Sequence, residues 1–256
     1  MKIAMMGAGA FGTALGGVLA SKGYDIDYYD SKVERERLSD VLEKAKYVVL
    51  CVPSKAAPYL LPYLPKQKPL IVATKGILSD GVFAGFRDWM VLSGPGFADD
   101  IKDKKKTLLT VTDSRVVDLF CTDYMEFDFT GDRRGVLMCG ALKNVYAIKA
   151  GMLGLSRQSA MWREFIREVV KEMKMVLVAN GAEENTVDLA CGVGDLKLTC
   201  GLPSRNYEYG CILRDNPAYE PTNTVEGLSA IKRIKRREIV VPEKARILKE
   251  ILNEIE

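Results

Sequence analysis

The chain is expected to be an α/β protein, with a doubly wound parallel sheet in its N-terminal half and an all-helical C-terminal half. Three observations carry that expectation. A short apolar run at residues 2–6 opens into a glycine-rich turn and then a helical pattern. Strand and helix signals alternate from there to about residue 111. Beyond about residue 135 strand signals vanish and helical periodicity takes over. The expected domains are residues 1–134 and residues 135–256.

The first element is read from residues 5–23, MMGAGAFGTALGGVLASKG. A secretory signal would need a positive start and an unbroken apolar core. Here the positive region is the single Lys2, and Gly7, Gly9, Gly12, Gly16 and Gly17 interrupt the core. The alternative uses more of the detail. Gly7-Ala8-Gly9-Ala10-Phe11-Gly12 fits G-x-G-x-x-G, and Phe11, Ala14, Leu15, Val18 and Leu19 follow at helical spacing up to Gly23. The glycines thus lie between a strand and a helix, the context of a Rossmann-type dinucleotide turn. Gly7 permits the tight turn, Gly9 lets the backbone approach a pyrophosphate, and Gly12 lets helix and strand pack closely. The helix N-terminus offers N–H groups and a partial positive charge to phosphates.

The second strand is read at 24–29 (YDIDYY), closed by Asp30. Asp30 lies 18 residues past Gly12, near the ~20-residue spacing at which an acid meets the ribose hydroxyls. A carboxylate there favours NAD over NADP, although a loop aspartate at a strand end is also an ordinary solvated residue. Further strands are read at 47–52 (YVVLCV), 70–74 (LIVAT), 90–93 (MVLS) and 108–111 (LLTV). In doubly wound sheets ligands sit at the carboxyl ends of strands. Pro53, Ser54, Lys75, Gly94 and Gly96 follow such ends and are expected to line one crevice. In the helical half, Trp162, Phe165, Ile166, Val169, Val170, Met173, Val176 and Leu177 form the apolar stripe of one long helix, ended by Asn180-Gly181.

Composition narrows the chemistry. Hydrophobic residues make up 48% of 256, enough for a substantial core. A net charge of +3 gives no argument for nucleic acid, and the basic runs at 102–106 (KDKKK) and 232–237 (KRIKRR) read as solvated faces. No apolar run approaches the ~18 residues that span a membrane. Six cysteines include no C-x-x-C pair, which suits free thiols in a reducing cytoplasm, and no metal site is expected. Histidine is absent. Ser-His-Asp and Cys-His catalysis are thereby excluded, and acid–base work falls to Lys, Asp, Glu, Tyr or Cys.

Four stretches remain: 72–76 (VATKG), 140–144 (GALKN), 192–200 (GVGDLKLTC) and 204–206 (SRN). Most lysines on helices are solvated, but Lys143 is flanked by Cys139, Gly140, Ala141, Leu142 and Val145. Burial there would lower its pKa toward the range useful for proton transfer. Asp195 suits a turn or helix cap as well as a partner for a lysine. Arg205 and Asn206 could clamp an oxyanion, because a guanidinium binds phosphate through a planar fork.

These stretches, in this order from Gly7 to the 241–252 segment (VPEKARILKEIL), resemble the NAD-dependent glycerol-3-phosphate dehydrogenase family. The resemblance implies interconversion of dihydroxyacetone phosphate and glycerol 3-phosphate with NAD(H), NADP being less favoured, in the supply of phospholipid precursors. It implies a cytoplasmic homodimer acting on a small phosphorylated substrate, without nucleic acid. It makes Lys143 the acid–base, surrounded by Asn144, Asp195 and Thr199. Lys75 would touch cofactor and substrate, and Ala10, Phe11 and Pro53 the dinucleotide. Gly94, Gly96 and Ala98 would line the pocket. Ser204, Arg205 and Asn206 would hold the substrate phosphate, with Arg205 also at the cofactor and Glu226 of TVEG at its nicotinamide end. Several features depart from the family: Gly96 stands where Ser or Thr is common, the 30–47 stretch is short, 156–162 (SRQSAMW) lacks the usual asparagine-containing pattern, the gap from Cys200 to Ser204 is tight, and the whole chain is compact. The other readings are a related reductase of another carbonyl compound, such as a ketoacid, and a non-enzymatic NAD-responsive module. Such a module could dispense with its lysine, whereas Lys75, Lys143, Asp195 and Arg205 are all present.

Overall fold

A computed structural model describes residues 1–30, 37–77 and 79–255. The short 30–47 stretch noted above lies partly outside the described residues, at 31–36. The chain divides into two compact units, Met1–Thr74 with Asp80–Gly131, and Lys75–Ser79 with Asp132–Glu256.

The first unit holds seven strands: β1 (Lys2–Met6), β2 (Asp25–Tyr29), β3 (Tyr47–Leu50), β4 (Leu70–Val72), β5 (Trp89–Ser93), β6 (Thr107–Val111) and β7 (Met125–Phe129). Their order is β2-β1-β3-β4-β5-β6-β7. The strands β1, β3, β4 and β5 are buried almost end to end, as expected of parallel strands covered on both faces. The edges are guarded by charge. Asp25 and Asp27 sit on β2, where Lys2 reaches them at 3.6 and 3.4 Å, and Glu126 and Asp128 sit on β7.

The sheet departs from the expected all-parallel arrangement at one seam: β6 runs antiparallel to β5, and β7 then returns parallel to β6. The connection between β5 and β6 runs over residues 94–106 and carries the short helix α4 (Ala98–Lys102). Strand β7 carries no turn signal of its own in MEFDF and was not among the expected strands.

The helices packed on this sheet are α1 (Ala10–Ser21), α2 (Arg37–Glu43), α3 (Ala57–Leu60), α4 and α5 (Ser114–Phe120). On α1, Ala14, Leu15, Val18 and Leu19 join Ile3, Met5, Val49, Ile71, Met90 and Leu92 in one apolar core. The C-terminal carbonyls of the α2 region are met by the Lys68 ammonium, which donates to Leu42, Glu43 and Ala45 at 2.6–2.8 Å.

The second unit is helical: α6 (Arg133–Met152), α7 (Ala160–Ala179), α8 (Asp195–Thr199), α9 (Arg205–Asp215), α10 (Glu226–Lys235) and α11 (Arg246–Glu254). Helix α6 is buried on every side from Gly135 to Gly151, so it has neighbours all round rather than an apolar stripe. Small residues make this close packing feasible. A side chain at Gly151 would collide with the Tyr207 carbonyl, and one at Gly210 with that of Ile148, so α6 and α9 meet backbone to backbone. Helix α7 carries the expected stripe and adds the buried Glu172, which accepts from Tyr146 Oη and from the Ile247 and Leu248 amides that begin α11.

A boundary after residue 134 would cut α6, because that helix starts at Arg133 and is capped by Asp132. The buried Asp132 carboxylate accepts from the Gly135 amide at 2.8 Å, the Glu183 amide at 2.9 Å and Thr186 Oγ1 at 2.7 Å. Asp132→Ala removes a cap and strands two further donors. It is expected to cost roughly 3 kcal/mol, read as a lower denaturation midpoint at unchanged slope. A loss within 0.5 kcal/mol or so would show that these bonds contribute nothing net.

Candidate active site

In the first unit the parallel order reverses direction at β1, between β2 and β3, and this switch is where α/β sheets bind ligands. The glycine turn leaves β1 there. Gly7 has φ +108°, and a Cβ on it would stand 2.5 Å from the Cys51 carbonyl oxygen beyond β3. A Cβ on Gly12 would strike the Gly7 carbonyl, so this glycine sets the closeness of α1 to β1. Around Gly9 a Cβ would meet nothing within 4 Å. Gly9 is also the N-cap of α1 and brings no capping side chain. The first helical bond runs from Thr13 to Gly9, which leaves the Ala10, Phe11 and Gly12 amides outside the helix ladder. Tight glycines at both ends and an open one between them fit a dinucleotide pyrophosphate.

Asp30 closes this turn from the other side: its Oδ2 accepts from the Ala8 amide at 3.2 Å. Pro53 is exposed just after β3, and Ser54 behind it is buried. After β5, Gly94 has φ +144° and the Gly96 amide donates back to its carbonyl at 2.9 Å. A Cβ on Gly96 would meet Ile101, Thr107 and Leu109 side chains at 3.4 Å, so space does not demand glycine there. Ala98 is the first residue of α4.

Asp30→Ala is expected to weaken NADH roughly tenfold, for a lost charge-assisted bond of about 1.4 kcal/mol. NADPH should weaken less. Fluorescence titration with both cofactors checks this; equal losses would assign Asp30 to the glycine turn through Ala8 and not to the ribose.

The second unit gathers the remaining candidates. Lys143 lies midway along α6 and is 4% exposed. Its Nζ is 2.5 Å from Asp195 Oδ1 and donates to Thr199 Oγ1 at 3.2 Å. Asp195 begins α8 and is 1% exposed. Its other oxygen is 3.2 Å from Nζ of Lys75, a half-buried residue. One carboxylate therefore bridges two ammonium groups, one sealed and one open to water. The Thr199 hydroxyl donates to the Asp195 carbonyl at 2.6 Å, so toward Lys143 it acts as acceptor. Burial pulls the Lys143 pKa down to about 7; Lys75 pushes the same way and Asp195 opposes.

A second chain of bonds lies beside it. Asn144 donates to the Gly140 carbonyl at 3.0 Å and accepts from Asn206 Nδ2 at 2.9 Å. Asn206 Oδ1 in turn accepts from the Gly227 amide at 2.9 Å, next to Glu226 at the start of α10. Gly140 opens the GALKN stretch and Gly227 closes TVEG, but the sequence analysis gave neither a role of its own. Only the i,i+4 spacing of Gly140 and Asn144 hinted at the first. Ser204 is the N-cap of α9, accepting from the Tyr207 amide. Arg205 is the first residue of α9 and exposed. Among the described residues its guanidinium has no carboxylate partner.

Lys75 thus groups with Lys143 and Asp195 in the second unit, while Pro53, Ser54, Gly94 and Gly96 belong to the first. Cys139, Cys191 and Cys200 are buried free thiols, Cys51 and Cys211 are half-buried and Cys121 is exposed. Among the described residues no cluster of His, Cys, Asp or Glu could hold a metal, and no helix is long and apolar enough to cross a membrane.

A dinucleotide turn in one unit and a buried lysine–carboxylate pair in the other are the parts of a nicotinamide-dependent oxidoreductase. Residues 132–254 match the model for the C-terminus of NAD-dependent glycerol-3-phosphate dehydrogenase. A glycerol-3-phosphate dehydrogenase (NAD(P)+) of Leptospira biflexa is 31% identical over 82% of this chain and 78% of its own length. One of Thermus thermophilus is 33% identical over 91% and 86%. The chain belongs to the NAD-dependent glycerol-3-phosphate dehydrogenase family. The fold agrees: a glycerol-3-phosphate dehydrogenase structure from Coxiella burnetii superposes with a TM-score of 0.80 at 24% identity, covering 99% of this chain and 94% of that one. A ketopantoate reductase from Staphylococcus aureus shares the fold at a TM-score of only 0.53 and 15% identity.

Proposed function

We propose that this chain reduces dihydroxyacetone phosphate to sn-glycerol 3-phosphate with NADH, and runs the reverse oxidation with NAD, supplying glycerol 3-phosphate for phospholipid synthesis. Membership of the family supports the reaction. The observation that carries the residue roles is the buried Lys143, held by Asp195 and Thr199 with a pKa of about 7. The reading includes a cytoplasmic homodimer.

Bound NADH supplies the hydride; the chain supplies charge and a proton. An ammonium has three N–H donors. Lys143 commits one to Asp195 and one to Thr199, which leaves one for the substrate carbonyl oxygen. In that position Lys143 stabilises the developing alkoxide and then protonates it. Lys75 adds a second positive charge to the same cluster, and Asp195 orients both amines. Arg205 and Asn206 hold the phosphate: the guanidinium has no carboxylate partner among the described residues, and one Asn206 N–H remains after its bond to Asn144. Asn144 keeps Asn206 in register. Ser204 shapes the start of α9 from its capping position. Gly7, Gly9, Ala10, Phe11, Gly12, Pro53 and Ala98 serve the dinucleotide, with Asp30 at its ribose and Glu226 at its nicotinamide end.

Oxidation of NADH by the purified protein with dihydroxyacetone phosphate tests the reading directly. Preference for a 2-ketoacid would overturn it.

The depressed Lys143 pKa sets opposite pH dependences for the two directions. Reduction needs the ammonium, present below the pKa, so its kcat/KM should fall as pH rises through about 7. Oxidation needs the neutral amine, so its kcat/KM should rise over the same interval. Parallel profiles in both directions would remove Lys143 as the titrating group.

A further inference from the structure

One stretch of this chain is strongly basic. Residues 232–238 contain five cations, Lys232, Arg233, Lys235, Arg236 and Arg237, and one carboxylate, Glu238, so this stretch holds more positive charge than the net +3 of the whole protein. The other basic run, at 102–106, is different in kind, because Lys105 pairs there with Asp100 and Asp103. On α10 the buried side is made by Gly227, Ala230, Ile231 and Ile234. Lys232, Lys235 and Arg236, at i, i+3 and i+4, share the opposite, exposed side. Arg237 follows, also exposed. Glu238 is taken by Arg233. Lys235 gives one donor to the Ile255 carbonyl, and nearby Glu254 is held by Lys149. Among the described residues, Lys232, Arg236 and Arg237 have no carboxylate partner.

Exposed apolar side chains lie in the same region. Val240, three residues past Arg237, is 58% exposed. Its backbone is bonded both ways to the Asn180 side chain. Val178, two residues before Asn180, is 56% exposed. The exposed Arg134 donates to the Asn180 carbonyl and adds a further cation. A cationic helix face continued by exposed aliphatic residues is the make-up of a surface that rests on a membrane. Nucleic acid would be served by cations with stacking aromatics, and the exposed large apolar residues of this stretch are valines.

We propose that the outer face of α10 and the loop after it form a docking surface for an anionic lipid bilayer. Lys232, Arg236 and Arg237 bind the headgroups and Val240 and Val178 settle at the interface. Each cation near an anionic leaflet is worth about 1 kcal/mol, or roughly fivefold in partitioning. The surface is independent of the reaction proposed above.

The test is co-sedimentation of the full chain with phosphatidylcholine vesicles, with and without phosphatidylglycerol. Binding should require phosphatidylglycerol and fade at high salt. The triple variant K232Q/R236Q/R237Q should bind roughly a hundredfold more weakly while its turnover in solution is unchanged, and K104Q/K106Q should bind as wild type. Absence of binding to anionic vesicles, equal binding to neutral ones, or wild-type binding by the triple variant would overturn the proposal. So would tighter binding to duplex DNA than to vesicles through the same three residues.

Discussion

Lys143→Ala should remove nearly all dihydroxyacetone phosphate reduction while NADH still binds. Loss of a general acid typically costs ~10²–10⁴-fold in rate, and loss of the ammonium also removes charge stabilisation at the forming alkoxide. The effect should fall on kcat. The glycine turn belongs to the first compact unit and Lys143 to the second, so the NADH dissociation constant should stay within about twofold of wild type. Truncating a side chain that is 4% exposed leaves a void, so Lys143→Met, of similar length and uncharged, serves as the control for packing. Both variants should be equally inactive. A Met variant that kept most of the wild-type rate would take Lys143 out of the proton transfer.

Arg205→Lys should be nearly as damaging as Arg205→Ala. A guanidinium makes two parallel bonds to phosphate oxygens, whereas an ammonium is a point charge. The loss should appear in kcat/KM for dihydroxyacetone phosphate, on the order of 10²-fold for a charge-assisted contact worth about 3 kcal/mol. Because binding energy at the non-reacting phosphate also positions the carbonyl, kcat should fall too. Dihydroxyacetone, which lacks the phosphate, should be a poor substrate for wild type and scarcely affected by either change. Arg205 is exposed at the start of α9, so stability should move by no more than about 0.5 kcal/mol. Equal losses on the two substrates would assign Arg205 to the cofactor or the fold.

Much of the site was written locally. Strand, glycine turn and helix follow one another within residues 2–21, and each glycine's role depends on neighbours a few positions away. The reading of Gly7, Gly9 and Gly12 needed only that spacing, and the stripe of α7 only its period. Strand β7 was harder. Its alternating MEFDF carries acidic residues because it is an edge, and edge strands lack the apolar run that marks a buried one. The antiparallel seam is a pairing of β5 with β6 across residues 94–106, and strand signals read one at a time do not report strand direction.

The residue types and their local spacing were sufficient to place a glycine turn between strand and helix, to single out Lys143 in an apolar setting and to exclude histidine chemistry. They did so because turns, caps and helix faces are decided by contacts a few residues apart. The grouping of the reactive residues was decided elsewhere. Lys75 and Asp195 are 120 positions apart, and only folding makes one carboxylate serve both Lys75 and Lys143. The proton affinity of Lys143 belongs to the same level. Desolvation by the surrounding helices draws it down to about 7, and desolvation is a property of everything packed around a side chain, most of it remote in sequence.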